Sequence, residues 1–155
     1  VILPTGDARK GLGNGVTGVQ LSLPFSRRVS AAMALHVNLG TTLLPRVRAD
    51  ASDPSSPRRD LWGYNEGASA IWLASPTVNV LLEAVAYQNQ QLDGSGRRRW
   101  VDQVIVSPGV RVARNSPQGQ LVAGLAVPLG VTKDSPDPSL FLYLSWEPRL
   151  WTPRR

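Results

Sequence analysis

Residues 29–40 read VSAAMALHVNLG, and their side chains alternate between an apolar type and a small or polar type. In an extended chain the two sets lie on opposite faces. This period of two continues over about a dozen residues and predicts a β-strand rather than a helix. The first set is Val29, Ala31, Met33, Leu35, Val37 and Leu39, and the second is Ser30, Ala32, Ala34, His36, Asn38 and Gly40.

The same alternation recurs along the chain and predicts seven strands, at 16–25, 29–42, 61–73, 77–88, 100–112, 120–130 and 139–147, with a further strand end at 1–3. The connections between them alternate in length. Those at 26–28, 74–76 and 113–119 are short, and those at 43–60, 89–99 and 131–138 are longer and polar. Outer-membrane barrels have short periplasmic turns and longer external loops. The sequence therefore predicts an all-β, antiparallel, up-and-down transmembrane β-barrel.

The length of 155 residues fits a single domain, predicted over 1–155. No apolar run reaches the roughly 18 residues of a spanning helix, whereas a spanning strand needs only about 9–11. Bacterial barrels contain an even number of strands. Seven strands and a strand end are therefore expected to be the carboxyl-terminal part of a longer barrel, with the carboxyl terminus in the periplasm.

Charged residues make up 18% of the chain, and the formal net charge is +6. The average charged fraction of soluble proteins is about 25%. The arginines are dispersed over segment ends and connections and no recognition helix is visible, so a nucleic-acid partner is not expected. Loop arginines could bind phosphates or sugar acids at a cell surface, or they could simply be solvated. The chain contains no cysteine, which excludes disulfides and thiolate metal sites.

In a membrane barrel the apolar face of each strand contacts lipid and the polar face lines the lumen. Aromatic residues near the strand ends form girdles at the two membrane surfaces. The predicted lumen-lining residues are Gln20, His36, Asn38, Asn79, Glu83 and Gln103. The predicted girdle residues are Phe25, Trp62, Tyr64, Trp72, Tyr87, Trp100 and Trp146.

One carboxylate conflicts with this pattern, because Glu66 falls on the same face as Trp62 and Trp72. An ionised carboxylate in lipid is costly. We therefore expect a β-bulge near Gly63 or Gly67 that turns Glu66 inward.

Three prolines interrupt predicted strands, and proline removes a hydrogen bond from the ladder. Pro24 and Pro128 predict strand ends, and Pro108 predicts a bulge in the middle of its strand.

Motifs for catalysis or cofactor binding are weak. Residues 13–18 read GNGVTG, which matches the dinucleotide pattern G-x-G-x-x-G, but this turn leads into a strand instead of a helix. His36 is the only histidine, and Ser30 lies too far along one strand to form a hydrolytic pair with it. The loop aspartates do not have EF-hand spacing and are expected to be turn residues. They are Asp50, Asp53, Asp134 and Asp137. We expect neither an enzyme nor a cofactor.

Several short motifs occur in a characteristic order: PTGD at 4–7, a glycine-rich loop at 11–15, LHVNLG at 35–40, WGY at 62–64, LLEA at 81–84 and SPGVR at 107–111. In this order the chain resembles the outer-membrane β-barrel family named after the phenol meta-pathway degradation proteins. The resemblance covers nearly the whole chain. It implies an outer-membrane location, contact with membrane lipid and lipopolysaccharide, insertion by the barrel-assembly machinery, and passage of small aromatic or otherwise hydrophobic molecules.

Two other functional classes remain open from the residues alone. A soluble lipid-binding β-barrel or β-sandwich would also contain alternating strands, and it would stay in solution without detergent. A structural or adhesive surface protein would act through the arginine-rich loops, and loop deletion would abolish its surface binding.

Overall fold

A computed structural model describes residues 1–148 as one antiparallel β-sheet preceded by a short 3-10 turn at Ala8–Lys10. Residues 149–155 lie outside this description, and with them the end of the predicted domain and the predicted periplasmic terminus. Within residues 1–148 the structure contains no helix long and apolar enough to cross a membrane. The strands are β1 Val19–Ser30, β2 Met33–Arg48, β3 Arg58–Leu73, β4 Val78–Leu92, β5 Arg98–Ser116, β6 Gly119–Ala126, β7 Leu129–Gly130 and β8 Phe141–Pro148.

The strands follow one another in space in the order β1-β2-β3-β4-β5-β6-β8, and β7 pairs with β5. Every pairing is antiparallel. The predicted all-β, up-and-down order is therefore confirmed. The described sheet is open, with β1 and β8 as its edges. Ile2 and Gly18 form one antiparallel bridge beside β1, so the predicted strand end at 1–3 is present as a single residue pair.

The first tight turn lies further along the chain than predicted. The predicted turn at 26–28 is wrong, because β1 continues to Ser30 and reverses at Ala31 and Ala32. The side chain of Arg28 explains this extension. Its guanidinium donates to the carbonyls of Ser30, at 3.1 Å, and Ala31, at 2.5 Å. The pair Arg27-Arg28, which the sequence predicts to be a turn, thus lies in β1, and Arg28 stabilises the turn that follows.

Three other connections are also shorter than predicted, whereas those predicted at 74–76 and 131–138 extend to 74–77 and 131–140. The turn predicted over 113–119 consists only of Pro117 and Gln118, and the loops predicted over 43–60 and 89–99 shrink to 49–57 and 93–97. The cause is that polar residues at the strand ends continue the ladder, as in the pairs Arg48–Arg58 and Leu92–Arg98. Short and long connections still alternate, although those at 74–77 and 93–97 are now almost equal in length.

The prolines behave differently from two of the three predictions. Pro24 lies within β1, opposite Asn38, and not at a strand end. An edge strand tolerates this position because one of its sides has no ladder. Pro108 does not cause a bulge, because β5 keeps one register with β4 throughout. Pro128 does end a strand: it separates β6 from β7, and Val127 donates its N–H to the Pro108 carbonyl at 3.0 Å.

A conventional hydrophobic core is absent from the described sheet, which is a single layer. The buried apolar side chains within residues 1–148 are Val47, Leu61, Val101 and Val122. The two faces of the layer therefore determine what this structure can contact.

Candidate functional site

The strand register divides the side chains of the sheet into two faces, because directly paired residues of antiparallel strands point the same way. We call the face that contains His36 the polar face and the opposite one the apolar face. The pairing runs from Ser26 through His36, Ser69 and Glu83 to Ser107. The same register places all six predicted lining residues on the polar face: Gln20, His36, Asn38, Asn79, Glu83 and Gln103.

Exposure on the two faces is the inverse of that in a water-soluble sheet. Along β2, Leu35, Val37 and Leu39 are 38%, 41% and 52% exposed. The intervening His36 and Asn38 are only half-exposed. In a water-soluble sheet with one buried face, the apolar side chains would be the covered ones. Along β2 the apolar side chains are instead more exposed than the polar side chains between them.

Six of the seven predicted girdle aromatics lie on the apolar face: Phe25, Trp62, Tyr64, Trp72, Trp100 and Trp146. Tyr64 and Trp100 stack with ring centroids 6.0 Å apart and an interplanar angle of 19°. Tyr87 is the correction, because its strand partners are Asn65 and Gln103 and it therefore lies on the polar face. Its height along the strand matches the girdle, but its face does not.

The predicted bulge beside Glu66 is also absent. The pairing of β3 with β2 is unbroken from Leu61 to Trp72, and that with β4 is unbroken from Gly63 to Leu73. Glu66 therefore remains exposed on the apolar face, between Leu39 and Ala86. The carboxylate lies near the middle of β3, one side-chain row from Tyr64 on the same face.

A row of polar side chains crosses five neighbouring strands of the polar face, and on β1, β2 and β3 it lies closer to the tight turns than to the long loops. We call it the polar row: Ser26, His36, Ser69, Glu83 and Ser107. Ser26 Oγ and His36 Nδ1 are 2.7 Å apart. Ser69 Oγ is buried and has no hydrogen-bond partner among the described residues. Four of these side chains line a cavity of about 310 Å³.

Sequence reasoning identified His36 and Glu83 but missed Ser26 and Ser69. The contact between Ser26 and His36 joins two strands, and it depends on the turn at 31–32 that the sequence pattern misplaced. Ser69 lies between two alanines in a run of small residues, Gly67 to Ala70, and no motif singles it out. Counting back along β3 from Trp72 would have placed Ser69 on the polar face, but not beside His36.

The polar row is suited to hydrogen bonding rather than to hydrolysis. A hydrolytic triad needs a carboxylate that orients the histidine. Within residues 1–148 the only hydrogen bond of the His36 ring is the one to Ser26. The row is bordered by apolar side chains of the same face, Val85 and Ile105 on one side and Ile71 and Leu81 on the other. This arrangement matches a solute with one polar group and an apolar body.

The connection at 131–140, which we call the strap, hydrogen-bonds to the first half of β5. The residues of β5 that precede Ile105 have no partner from β6 or β7. Hydroxyl groups of the strap replace the missing strand: Thr132 Oγ1 donates to the Asp102 carbonyl at 2.7 Å, and Ser135 Oγ accepts from the Val104 N–H at 2.9 Å. Gln103 Nε2 donates to the Asp134 carbonyl at 2.7 Å. A predicted lining residue thus holds the strap on the polar-face side.

The remaining candidates from the sequence have structural explanations. Asp50 and Asp53 accept hydrogen bonds from Ser52 and Ser55, which lower the pKa of both carboxyl groups. In the described part of the chain no three acidic or histidine side chains lie together as metal ligands would. The glycine-rich loop leads into β1 and not into a helix, so it lacks the setting of a dinucleotide site.

The loop at 93–97 is expected to be sensitive to acid. Hydrogen bonds from Ser95 and Arg97 lower the pKa of Asp93 from 3.8 to about 2. The pKa of Asp93 is lower in the folded protein than in the unfolded chain. The contribution of these hydrogen bonds to the stability of the loop is therefore complete above about pH 4 and is lost as the pH falls toward 2. An NMR titration should show the Ser95 and Arg97 amide signals shifting in that interval. Asp93→Asn should remove the transition, and a step near pH 4 or higher in the native protein would contradict the assignment.

Comparisons with family models, with curated proteins and with solved structures find no match for this chain.

Proposed function

We propose that the chain forms part of the wall of a bacterial outer-membrane β-barrel that conducts small solutes and has no enzymatic activity. The observation that carries this proposal is the continuous exposed apolar face. Leu23, Leu142 and Leu144 are 71%, 73% and 74% exposed at the two edge strands, and the strands between them repeat the pattern. Monomeric soluble proteins rarely expose apolar patches larger than a few hundred Å². Lipid is the solvent in which such a face is stable.

The orientation follows from the two ends of the sheet. We propose that the turns at 31–32, 74–77 and 117–118 face the periplasm and that the loops at 49–57 and 93–97 face outward, with the strap. The aromatic residues of the apolar face then lie near both membrane surfaces. Membrane lipid, lipopolysaccharide and the barrel-assembly machinery are the partners that this placement requires. The resemblance to the phenol meta-pathway family supports the same location.

The polar face supplies the proposed solute path. Its hydrogen-bonding row, bordered by apolar side chains, suits small aromatic or otherwise hydrophobic molecules that carry one polar group. Polar side chains that line a lumen determine permeation by size and charge. In the polar row, Ser69 Oγ has no hydrogen-bond partner among the described residues and the Glu83 side chain is exposed, so both can bond to a solute.

The experiment that tests this function is flux through liposomes that contain the purified protein. The native protein should conduct ions or small solutes. Ser69→Trp, which places a large ring on the polar face, should reduce conductance several-fold. Ala68→Trp is the matched control, because Ala68 is the adjacent residue on the apolar face and its substitution should leave conductance unchanged.

Heat modifiability in gel electrophoresis reports folding of all three proteins independently of flux. A folded native protein that is impermeable to every solute would remove the transport proposal. A protein that stays monodisperse without detergent would favour a soluble lipid-binding barrel instead.

A further inference from the structure

Three arginines converge on one cavity at the end of the sheet that carries the long loops. Arg46 and Arg48 come from the end of β2 and Arg58 from the start of β3. Together with Asn14 and Gly15 of the glycine-rich loop they line a cavity of about 480 Å³. Among the described residues that line this cavity, none is acidic.

The placement of these arginines is unfavourable without a counter-charge. Arg48 and Arg58 are direct partners across the β2–β3 ladder. Like charges in directly opposite positions destabilise a sheet. Within residues 1–148 the ion pairs are those of Arg9 with Asp7 and of Arg97 with Asp93, so none of the three arginines forms a direct ion pair.

Three carboxylates at this end of the sheet accept hydrogen bonds from backbone N–H groups. Asp60 Oδ1 accepts the N–H of Arg46 at 2.9 Å. Asp50 and Asp53 are occupied by Ser52 and Ser55 in the loop at 49–57. These contacts shape the rim of the cavity, and in the described chain none of these carboxylates forms an ion pair with Arg46, Arg48 or Arg58.

The positions of Arg48 and Arg46 are fixed by hydrogen bonds in the first case and by backbone conformation in the second. The Arg48 guanidinium donates to the carbonyls of Asp53 and Pro54, which hold it against the loop. Arg46 lies at a register shift between β2 and β3 and has a φ of 55°, the only positive value for a non-glycine residue in the described chain. Strained backbone of this kind persists where the surrounding structure enforces it, often at binding sites.

We propose that Arg46, Arg48 and Arg58, with the glycine-rich loop, bind a phosphate group. Guanidinium groups match the geometry of phosphate oxygens through paired hydrogen bonds, and a bound phosphate would remove the like-charge repulsion between Arg48 and Arg58. The phosphate could belong to a lipid headgroup or be free in solution. This site does not depend on the solute path, so it stands or falls separately from the proposed channel.

The test is titration of the purified protein with inorganic phosphate, followed by calorimetry and by the midpoint of thermal unfolding. Phosphate should raise the midpoint of the native protein. Arg58→Gln should weaken phosphate binding by at least about tenfold. Because it also removes the repulsion with Arg48, it should leave the midpoint without phosphate unchanged or higher. Arg27→Gln, at the opposite end of the sheet, is the matched control and should keep the native response.

A second arm separates the two sources of phosphate. Binding to vesicles that contain lipid A is compared with binding to vesicles that contain dephosphorylated lipid A. Arg58-dependent binding of inorganic phosphate supports a free phosphate ligand, and Arg58-dependent preference for phosphorylated vesicles alone supports a headgroup. If neither ligand binds, or if Arg58→Gln responds like Arg27→Gln, the proposal is overturned.

Discussion

Val37→Lys is expected to prevent stable assembly of the protein in lipid vesicles, whereas Asn38→Lys at the next position is expected to be tolerated. Val37 lies in the middle of the apolar face of β2, 41% exposed. A lysine on the lipid face of a barrel costs about 2–4 kcal/mol near the bilayer midplane. That cost corresponds to a change of about 30-fold to 1,000-fold in the folding equilibrium.

The measurement is the fraction of heat-modifiable, protease-resistant protein after refolding into vesicles over a urea series. Asn38→Lys introduces the same charge one residue away on the polar face, so it controls for charge, side-chain volume and lost β-propensity. Equal loss in both variants would show that the two faces do not differ in environment. Full tolerance of Val37→Lys would contradict placement of the apolar face in lipid.

The second large effect is expected from the strap. Combining Thr132→Val with Ser135→Ala removes the hydroxyls that bond to the Asp102 carbonyl and to both backbone groups of Val104. Each hydrogen bond contributes about 1 kcal/mol, and unpaired backbone groups add to the loss. A combined cost of about 2–3 kcal/mol should open the strap about 30-fold to 150-fold more often.

Trypsin reports this opening, because Lys133 lies within the strap. The rate of cleavage after Lys133, followed by mass spectrometry, should rise by the same factor while cleavage elsewhere changes little. Ser139→Ala is the matched control, since the only hydrogen bond of Ser139 in the described structure is made by its backbone N–H, to Pro128. Cleavage after Lys133 at the native rate in the double variant would show that the hydroxyls do not hold the strap.

The period of two along the strands allowed the all-β class, the antiparallel strand order and the faces of most side chains to be predicted from the sequence, whereas the described sheet is not closed into the predicted barrel. Each strand carries its own alternation, and this local signal survives because one face is apolar and the other polar throughout. The alternation also predicted the common face of His36 and Glu83, although they lie on non-adjacent strands. The local alternation was sufficient to predict on which face of the sheet a side chain lies.

The pattern failed where the answer depended on side chains that act on the backbone. The pair Arg27-Arg28 predicted a turn, but the Arg28 guanidinium hydrogen-bonds to the turn that follows. The first hairpin therefore lies further along the chain than predicted. For that reason the contact of Ser26 with His36 could not be predicted. The predicted bulge at Glu66 followed from the cost of a carboxylate in lipid. The register of β3 with both neighbouring strands is continuous at Glu66, so no bulge turns its side chain to the polar face.

The scarcity of buried side chains has a consequence for how this sequence can change over generations. Replacing a leucine by alanine in a packed core leaves a cavity whose volume adds to the loss of stability. Leu23, Leu142 and Leu144 have no such packing to lose, because most of their surface is exposed. Any aliphatic residue of similar character can occupy these positions. Selection on the apolar face should therefore preserve the alternation of residue types and let their identities drift.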